Sequence, residues 1–147
     1  MSNVNVNHAT LLAYRRTHYH VHADPPFVLH VDQFSAALCA LHDQFGVRCS
    51  VYITACNPRG KAKSTAENQA AQRALAGDLN ALGLSFFPGI GEPDSGDWIG
   101  EPSFLVLGLE EVAARRLGRR YEQNAILCAG QDAVPRLVML ADLSSEA

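Results

Sequence analysis

One strand–loop–helix unit in the middle of the sequence constrains the fold more than any other segment. Residues 50–55 form an apolar run with three large side chains in succession, which is typical of a strand covered on both faces. After a polar loop, Ser64 and Glu67 have the spacing of a capping box, so a helix is predicted to begin there. Its apolar residues recur at steps of three and four, and it is predicted to end at Leu82, before Gly83.

The other apolar segments alternate between helical and strand-like periodicity. Helices are predicted over 8–17, 35–45 and 110–120, and strands over 18–22, 27–31, 84–87, 103–109, 124–129 and 134–140. The 110–120 helix is predicted to bury Val112, Ala113 and Leu117. Residues 88–96 are rich in glycine and proline and predict a long loop, with Trp98 as its hydrophobic anchor.

These elements predict the fold class and the number of domains. Helices alternate with strands early and strands pair locally late, which indicates an α+β fold. We expect a single domain over 1–147, with a mixed, mostly antiparallel sheet packed with three or four helices. The ends, near 1–7 and 144–147, are expected to be frayed.

Composition restricts the class of protein further. The 147 residues carry a formal charge of −3, which does not favour general nucleic-acid binding. The four cysteines form no C-x-x-C pair, so we expect reduced thiols. The first seven residues are polar and no apolar run is long enough to span a bilayer. We therefore expect a cytoplasmic protein without a membrane partner.

The loop from Asn57 to Ser64 is the first candidate site. It joins a strand end to a helix start, where unpaired N–H groups favour an anion, and Arg59, Lys61 and Lys63 strengthen that field. It is not a Walker P-loop, because the first glycine is missing and Gly60-Lys61 is followed by Ala62. The alternative interpretation is a solvated basic turn before a capped helix.

Uncharged polar residues and one acid on other segments are further candidates, and the sequence leaves open whether they lie in one pocket with this loop. Asn68 extends the apolar stripe of the central helix backwards, so its amide must find hydrogen-bond partners. Glu101, at the entry of a buried strand, is the candidate acid or base, although structural pairing, for example with Arg59, would equally explain it. The predicted ligand-binding residues are Thr54, Asn57, Arg59, Lys63, Asn68, Gln123 and Asn124.

Metal and thiol chemistry are less favoured. His18, His20 and His22 alternate on one strand, but side chains two apart on a strand are roughly 7 Å apart, which is long for three ligands of one ion. Cys56 has no nearby partner in sequence that would activate its thiol. We predict neither a metal site nor a cofactor.

The ordered polar residues resemble a known family. The resemblance rests on Tyr14-x-x-Thr17-x-Tyr19, Thr54-Ala55-x-Asn57-Pro58, Ser64-x-x-Glu67-Asn68, Gly89-x-Gly91, Trp98-x-x-Glu101-x-Ser103-Phe104 and Gln123-Asn124-Ala125. This set, spanning roughly residues 11–140, is similar to the bacterial domain of unknown function 3293. The resemblance implies a small bacterial single-domain protein and supplies no activity.

Three functions follow as hypotheses. The first is a pocket for a small anionic ligand, such as a nucleotide or a phosphorylated metabolite, with the question of catalysis left open. The second is a non-catalytic regulatory or protein-interaction module. The third, less favoured, is RNA or DNA binding through the loop cations and the arginines at 115–120. The sequence predicts no oligomeric state.

Overall fold

The computed structural model describes residues 5–94 and 100–143. The helices are α1 (His8–Arg16), α2 (Ala36–Phe45), α3 (Thr65–Ala81) and α4 (Glu111–Arg120). The strands are β1 (Asn5–Val6), β2 (His18–Val21), β3 (Phe27–Leu29), β4 (Ser50–Ile53), β5 (Ser85–Glu92), β6 (Glu101–Leu107), β7 (Ala125–Ala129), β8 (Arg136–Met139) and β9 (Asp142–Leu143). Trp98, the predicted loop anchor, lies outside the described residues.

Seven strands form one antiparallel sheet in the order β3-β2-β5-β6-β4-β7-β8. A separate two-stranded parallel pair joins β1 to β9. The sequence pattern does not predict this pair, since each strand has only two residues. The prediction of a single α+β domain, with a mostly antiparallel sheet and three or four helices, is confirmed by the four helices and the sheet of the described residues.

The sheet buries apolar side chains on both faces. On β4, Tyr52 joins a core with Leu38 and Leu41 of α2, while Val51 and Ile53 point to the opposite face. That second core contains Leu75 and Leu79 of α3, together with Ala114 and Leu117 of α4. The continuous apolar run at 50–55 is explained by this position, because a strand with helices on both sides has no polar face.

Helix boundaries follow the capping signals. Ser35 Oγ accepts the Leu38 N–H at the start of α2, and Gly46 ends that helix in a left-handed conformation. At α3, Ser64 and Glu67 form both hydrogen bonds of a capping box, as predicted. These caps satisfy N–H groups that the first helical turn leaves without partners.

The prediction of a loop over 88–96 is wrong for the first half of that range. Strand β5 continues to Glu92, and the Pro88 carbonyl accepts the His22 N–H at 2.8 Å. Gly89 is required by close packing: a Cβ there would lie 2.0 Å from the His20 carbonyl oxygen. Gly89, one of the glycines that indicate a flexible loop in the sequence, therefore allows neighbouring strands to approach closely.

The predictions for α3 and α4 are also wrong at three residues, Leu82, Val112 and Ala113, which are exposed. Leu82 is 58% exposed because α3 ends at Ala81, and Leu84 packs against the core in its place. In α4, Val112 is 66% exposed and Ala113 is also exposed, whereas Ala114 and Leu117 are buried. Among the described residues, no helix is both long enough and apolar enough to cross a membrane.

Candidate functional site

A hydrogen-bonded junction joins the end of β4 to the start of β6. Thr54 Oγ1 donates to the Pro102 carbonyl at 2.7 Å and accepts the Cys56 N–H at 3.0 Å. Gln72 of α3 accepts the Ala55 N–H at 2.7 Å through Oε1. The direction in which the chain leaves β4 is thus determined by contacts with both α3 and β6.

Asn57 is the centre of the polar contacts. Its backbone is left-handed, with φ 48° and ψ 61°, a conformation that Asn tolerates better than most residues. Its N–H donates to Asn68 Oδ1 at 2.9 Å, and its Nδ2 donates to Glu101 Oε2 at 2.9 Å. Its Oδ1 accepts from Asn68 Nδ2 at 2.9 Å and from the Lys63 N–H at 3.0 Å. One amide therefore ties the loop to α3 and to β6.

The Glu101 carboxyl group is half-buried at the first position of β6. Burial raises its pKa, and the hydrogen bond from Asn57 partly opposes that rise. Burial also raises the pKa of Tyr14 and of the Cys56 thiol, and the nearby charge of Glu101 adds to both shifts. Among these groups the Glu101 carboxyl, with its raised pKa, is the one suited to gain and lose a proton.

The segment after α4 closes the other side of the loop. Gln123 Nε2 donates to the Cys56 carbonyl at 3.0 Å. Asn124 is buried, and its Nδ2 donates to the Tyr14 hydroxyl at 3.1 Å. A Cβ on Gly60 would lie 3.1 Å from that same Nδ2, so the loop passes directly over the Asn124 amide. We refer to Tyr14, Asn57, Asn68, Glu101 and Asn124 as the Glu101 cluster.

Three cations lie on the outer side of the loop. The guanidinium group of Arg59 forms an exposed ion pair with the Glu122 carboxylate at 2.5 Å. The backbone N–H of Arg59 also donates to the backbone carbonyl of Glu122 at 2.7 Å. Lys61 and Lys63 are exposed, and neither forms an ion pair with any residue that the structure describes. The loop therefore presents positive charge to solvent beside a half-buried acid.

Most of the predicted site residues lie together. Contacts link seven of their side chains around the loop, namely Thr54, Asn57, Arg59, Asn68, Glu101, Gln123 and Asn124. Lys63 contributes its backbone N–H, while its side chain faces outward. The predicted pairing of Glu101 with Arg59 is replaced by Glu101–Asn57 and Arg59–Glu122.

Sequence reasoning missed two residues of the site. Gln72 lies one helical turn after Asn68, so its position on the same face of α3 was a usable signal. Tyr14 belongs to the ordered set that resembles the family, but it is 110 positions away from Asn124 along the chain, so no local pattern assigns it to the site. It enters the site only because the fold brings α1 next to the segment after α4.

A family model described as a protein of unknown function, DUF3293, matches residues 53–126. The chain belongs to this family. The DUF3293 match includes all eight predicted site residues, whereas Tyr14 lies outside it. No curated protein and no solved structure matches the chain.

Two cavities of this DUF3293 protein lie away from the Glu101 cluster. One cavity, of about 280 Å³, is lined in part by Cys49 and Cys128. The other, of about 290 Å³, is lined in part by Cys39 and His42. Three histidines were predicted to alternate on one strand. One of them, His18, contacts Asp94 through Nε2 and Oδ1, which lie 3.1 Å apart. Within residues 5–94 and 100–143, no three His, Cys, Asp or Glu side chains are grouped closely enough to hold a metal ion.

Proposed function

We propose that this DUF3293 protein binds a small anionic ligand, such as a nucleotide or a phosphorylated metabolite, at loop 57–63. The observation that carries the proposal is the direct link, through Asn57, between the cationic loop and the half-buried carboxyl group of Glu101. A ligand with one anionic and one polar group would contact both. The loop would bind the charge, and the Glu101 cluster would orient the remainder.

The anionic group has accessible partners. Arg59 is paired with Glu122, but both side chains are exposed, and an exposed ion pair contributes only about 0–1 kcal/mol. Arginine and phosphate can form two parallel charge-assisted hydrogen bonds, which are stronger than a neutral contact. A phosphate could therefore replace the Glu122 carboxylate at little cost. Lys63, with its exposed side chain, would add attraction.

Some of the polar groups would hold the loop in position, and others would contact the ligand. Asn57 and Asn68 already bond to each other, and Gln123 bonds to the Cys56 carbonyl, so these amides would hold the site in shape. Glu101 would face the ligand as a hydrogen-bond acceptor. If the protein is an enzyme, Glu101 would be its acid or base, since burial raises the pKa of this carboxyl group.

Backbone conformation further supports a binding role. Asn57, Arg59 and Glu122 all have positive φ, at 48°, 59° and 54°. A left-handed backbone conformation at a residue other than glycine typically costs on the order of 1 kcal/mol or more. Residues in this conformation cluster at ligand sites. Arg59 and Glu122 also contact each other, which indicates a loop whose shape is maintained despite its cost.

The test is calorimetric titration with pyrophosphate, ribose 5-phosphate and AMP. Arg59→Ala should weaken binding of at least one of them with little loss of stability. Glu122→Gln should strengthen it, because the competing carboxylate is removed. Arg136→Ala is the matched control, since Arg136 also forms an exposed ion pair, with Asp132 at 2.7 Å. Equal effects of Arg59→Ala and Arg136→Ala would sink the proposal.

A non-catalytic interaction module is the second candidate. Among the described residues, every buried side-chain nitrogen or oxygen has a hydrogen-bond partner, as expected if the cluster only fixes loops. In that case no compound in the panel would bind, while loss of Asn68 would still destabilise the protein.

Nucleic-acid binding is a third, less favoured candidate. The contact between Arg59 and Glu122 places the loop close to the end of α4, where four arginines lie between positions 115 and 120. Binding of a short oligonucleotide that falls steeply with salt would support it. A cytoplasmic location is part of all three proposals, consistent with the four free thiols.

A further inference from the structure

The cavity of about 290 Å³ lies at the C-terminal end of α2, and its lining includes no residue of loop 57–63. Its walls come from that helix, from the residues that follow Gly46 and from the turn between β7 and β8. The polar side chains in the lining include His42, Asp43 and Arg48. A volume close to the lower limit of ligand pockets restricts the occupant to a small molecule.

One side chain of this lining is a buried histidine with a partner for only one of its ring nitrogens. His42 is 4% exposed, and its Nε2 lies 2.8 Å from the Ser50 hydroxyl oxygen. No partner for Nδ1 lies within the described part of the chain. Every fully buried side-chain nitrogen or oxygen of the described residues does have a partner, so Nδ1 is not fully buried. The small exposed part of His42 therefore includes Nδ1, and the cavity is the space beside this ring.

The contact with Ser50 also determines which ring nitrogen carries the proton. Ser50 is 1% exposed, and the described residues offer its hydroxyl hydrogen no acceptor other than His42 Nε2. A buried hydroxyl group without an acceptor is costly, so Ser50 donates to Nε2. Burial lowers the pKa of His42, so the ring is neutral at neutral pH and carries its proton on Nδ1. His42 therefore offers an N–H donor to the cavity.

Two opposite charges border the same cavity without neutralising each other. Asp43 and Arg48 are both exposed, and neither forms an ion pair with any residue that the structure describes. Asp43 lies in the last turn of α2, where the negative end of the helix dipole also favours a cation. Arg48 follows the helix, and its guanidinium group is suited to a carboxylate. The lining thus combines a partner for a cation with two donors for a carboxylate.

We propose that this cavity binds a small α-amino acid. The carboxylate group of the amino acid would accept from the His42 Nδ1–H and from Arg48, and its ammonium group would contact Asp43. Cys39 and Val47, which are half-buried against the core beneath α2, would pack against a short apolar side chain. This site is separate from the proposed anion site, because the two share no residue.

The experiment is an NMR titration of the full chain with L-alanine and with L-lactate, in which a hydroxyl group replaces the ammonium group. The wild-type protein should bind L-alanine more tightly. Asp43→Asn should weaken L-alanine binding about 3- to 5-fold, the factor expected for one exposed ion pair, and should not weaken L-lactate binding. Arg48→Gln should weaken both by a similar factor. Arg16→Gln is the matched control, because Arg16 is also exposed, forms no ion pair with a described residue and lies outside the cavity.

A second measurement concerns the histidine itself. A long-range proton–nitrogen NMR spectrum identifies the tautomer of His42, with the proton expected on Nδ1 and the Nδ1 resonance expected to shift when L-alanine is added. A proton on Nε2 would overturn the proposal. Absence of L-alanine binding, equal affinity for L-lactate, or equal effects of Arg48→Gln and Arg16→Gln would also overturn it. Arg59→Ala should leave L-alanine binding unchanged, so the failure of this site can be distinguished from the failure of the anion site.

Discussion

Asn68→Ala provides the most direct test of the polar network. Asn68 exchanges two hydrogen bonds with Asn57, both at 2.9 Å. In the variant, the Asn57 N–H would lose its acceptor, while Asn57 Oδ1 would keep the Lys63 N–H. The perturbation therefore removes a defined pair of contacts and leaves one half-buried donor unsatisfied.

The magnitude can be worked from these contacts. Two hydrogen bonds together contribute about 1–3 kcal/mol net to stability. Leaving a buried donor unsatisfied costs about 1–3 kcal/mol, and this cost overlaps with the loss of the hydrogen bond that the donor made. Alanine is a better helix former than asparagine by up to about 0.7 kcal/mol, which offsets part of the cost. We expect a net loss of about 2 kcal/mol in the free energy of unfolding, or roughly 4–8 °C in Tm for a chain of this size.

The assay is urea denaturation followed by far-ultraviolet circular dichroism. Asn80→Ala is the matched control, because Asn80 lies in the same helix and is exposed. That substitution should leave stability unchanged or raise it slightly through helix propensity. The difference between the two variants isolates the network from the effect of alanine on the helix.

One result would refute this reasoning. If Asn68→Ala is as stable as Asn80→Ala, the Asn57–Asn68 contacts do not hold the loop. The left-handed conformation of Asn57 would then need another cause, and the positioning role proposed for Asn68 would fail with it.

Two further predictions concern β5 and β6. Burial raises the pKa of Glu101 above its ordinary value of 4.5, so its contribution to stability is full below that value and is lost as pH rises through the folded-state pKa. The stability advantage of Glu101→Gln over wild type, measured by urea denaturation, should therefore grow from pH 4 to pH 7; a constant difference would contradict the assignment. Gly89→Ala should cost about 3 kcal/mol or more, because its Cβ would lie 2.0 Å from the His20 carbonyl oxygen. Gly91→Ala should be tolerated, since its nearest neighbour is 3.7 Å away, and equal thermal stability of the two variants would disprove the close-packing argument.

Local signals account for the part of the fold that the sequence predicts well. The capping box at Ser64 and Glu67 and the left-handed glycine at 46 act within one helical turn, so neighbouring residues reveal them. The β5 error has the opposite origin. Gly89 is selected by the His20 carbonyl on another strand, and a contact between residues so distant in sequence leaves no local pattern.

The difference between local signals and contacts between distant residues also explains which features of the site were predicted. Asn68 was predicted to need hydrogen-bond partners because it extends an apolar helical stripe, but nothing in the sequence identifies Asn57 as the partner. Glu101 was expected either to act chemically or to pair with Arg59. The structure excludes the pairing, because Glu101 accepts a hydrogen bond from the uncharged amide of Asn57 and Arg59 pairs with Glu122. Such a choice between partners depends on tertiary geometry.

The contact of Glu101 with an amide in place of a cation has a chemical consequence. A cation in contact would lower the pKa of the carboxyl group and hold it ionised, whereas the amide of Asn57 opposes the effect of burial only in part. The pKa of the carboxyl group therefore stays raised, while Arg59 pairs with Glu122 on the outer side of the loop. Replacing Asn57 by a cationic residue would lower the Glu101 pKa and bring positive charge inward. Keeping the acid and the cations apart is what would allow one loop to bind an anionic group while the acid contacts a different part of the same ligand.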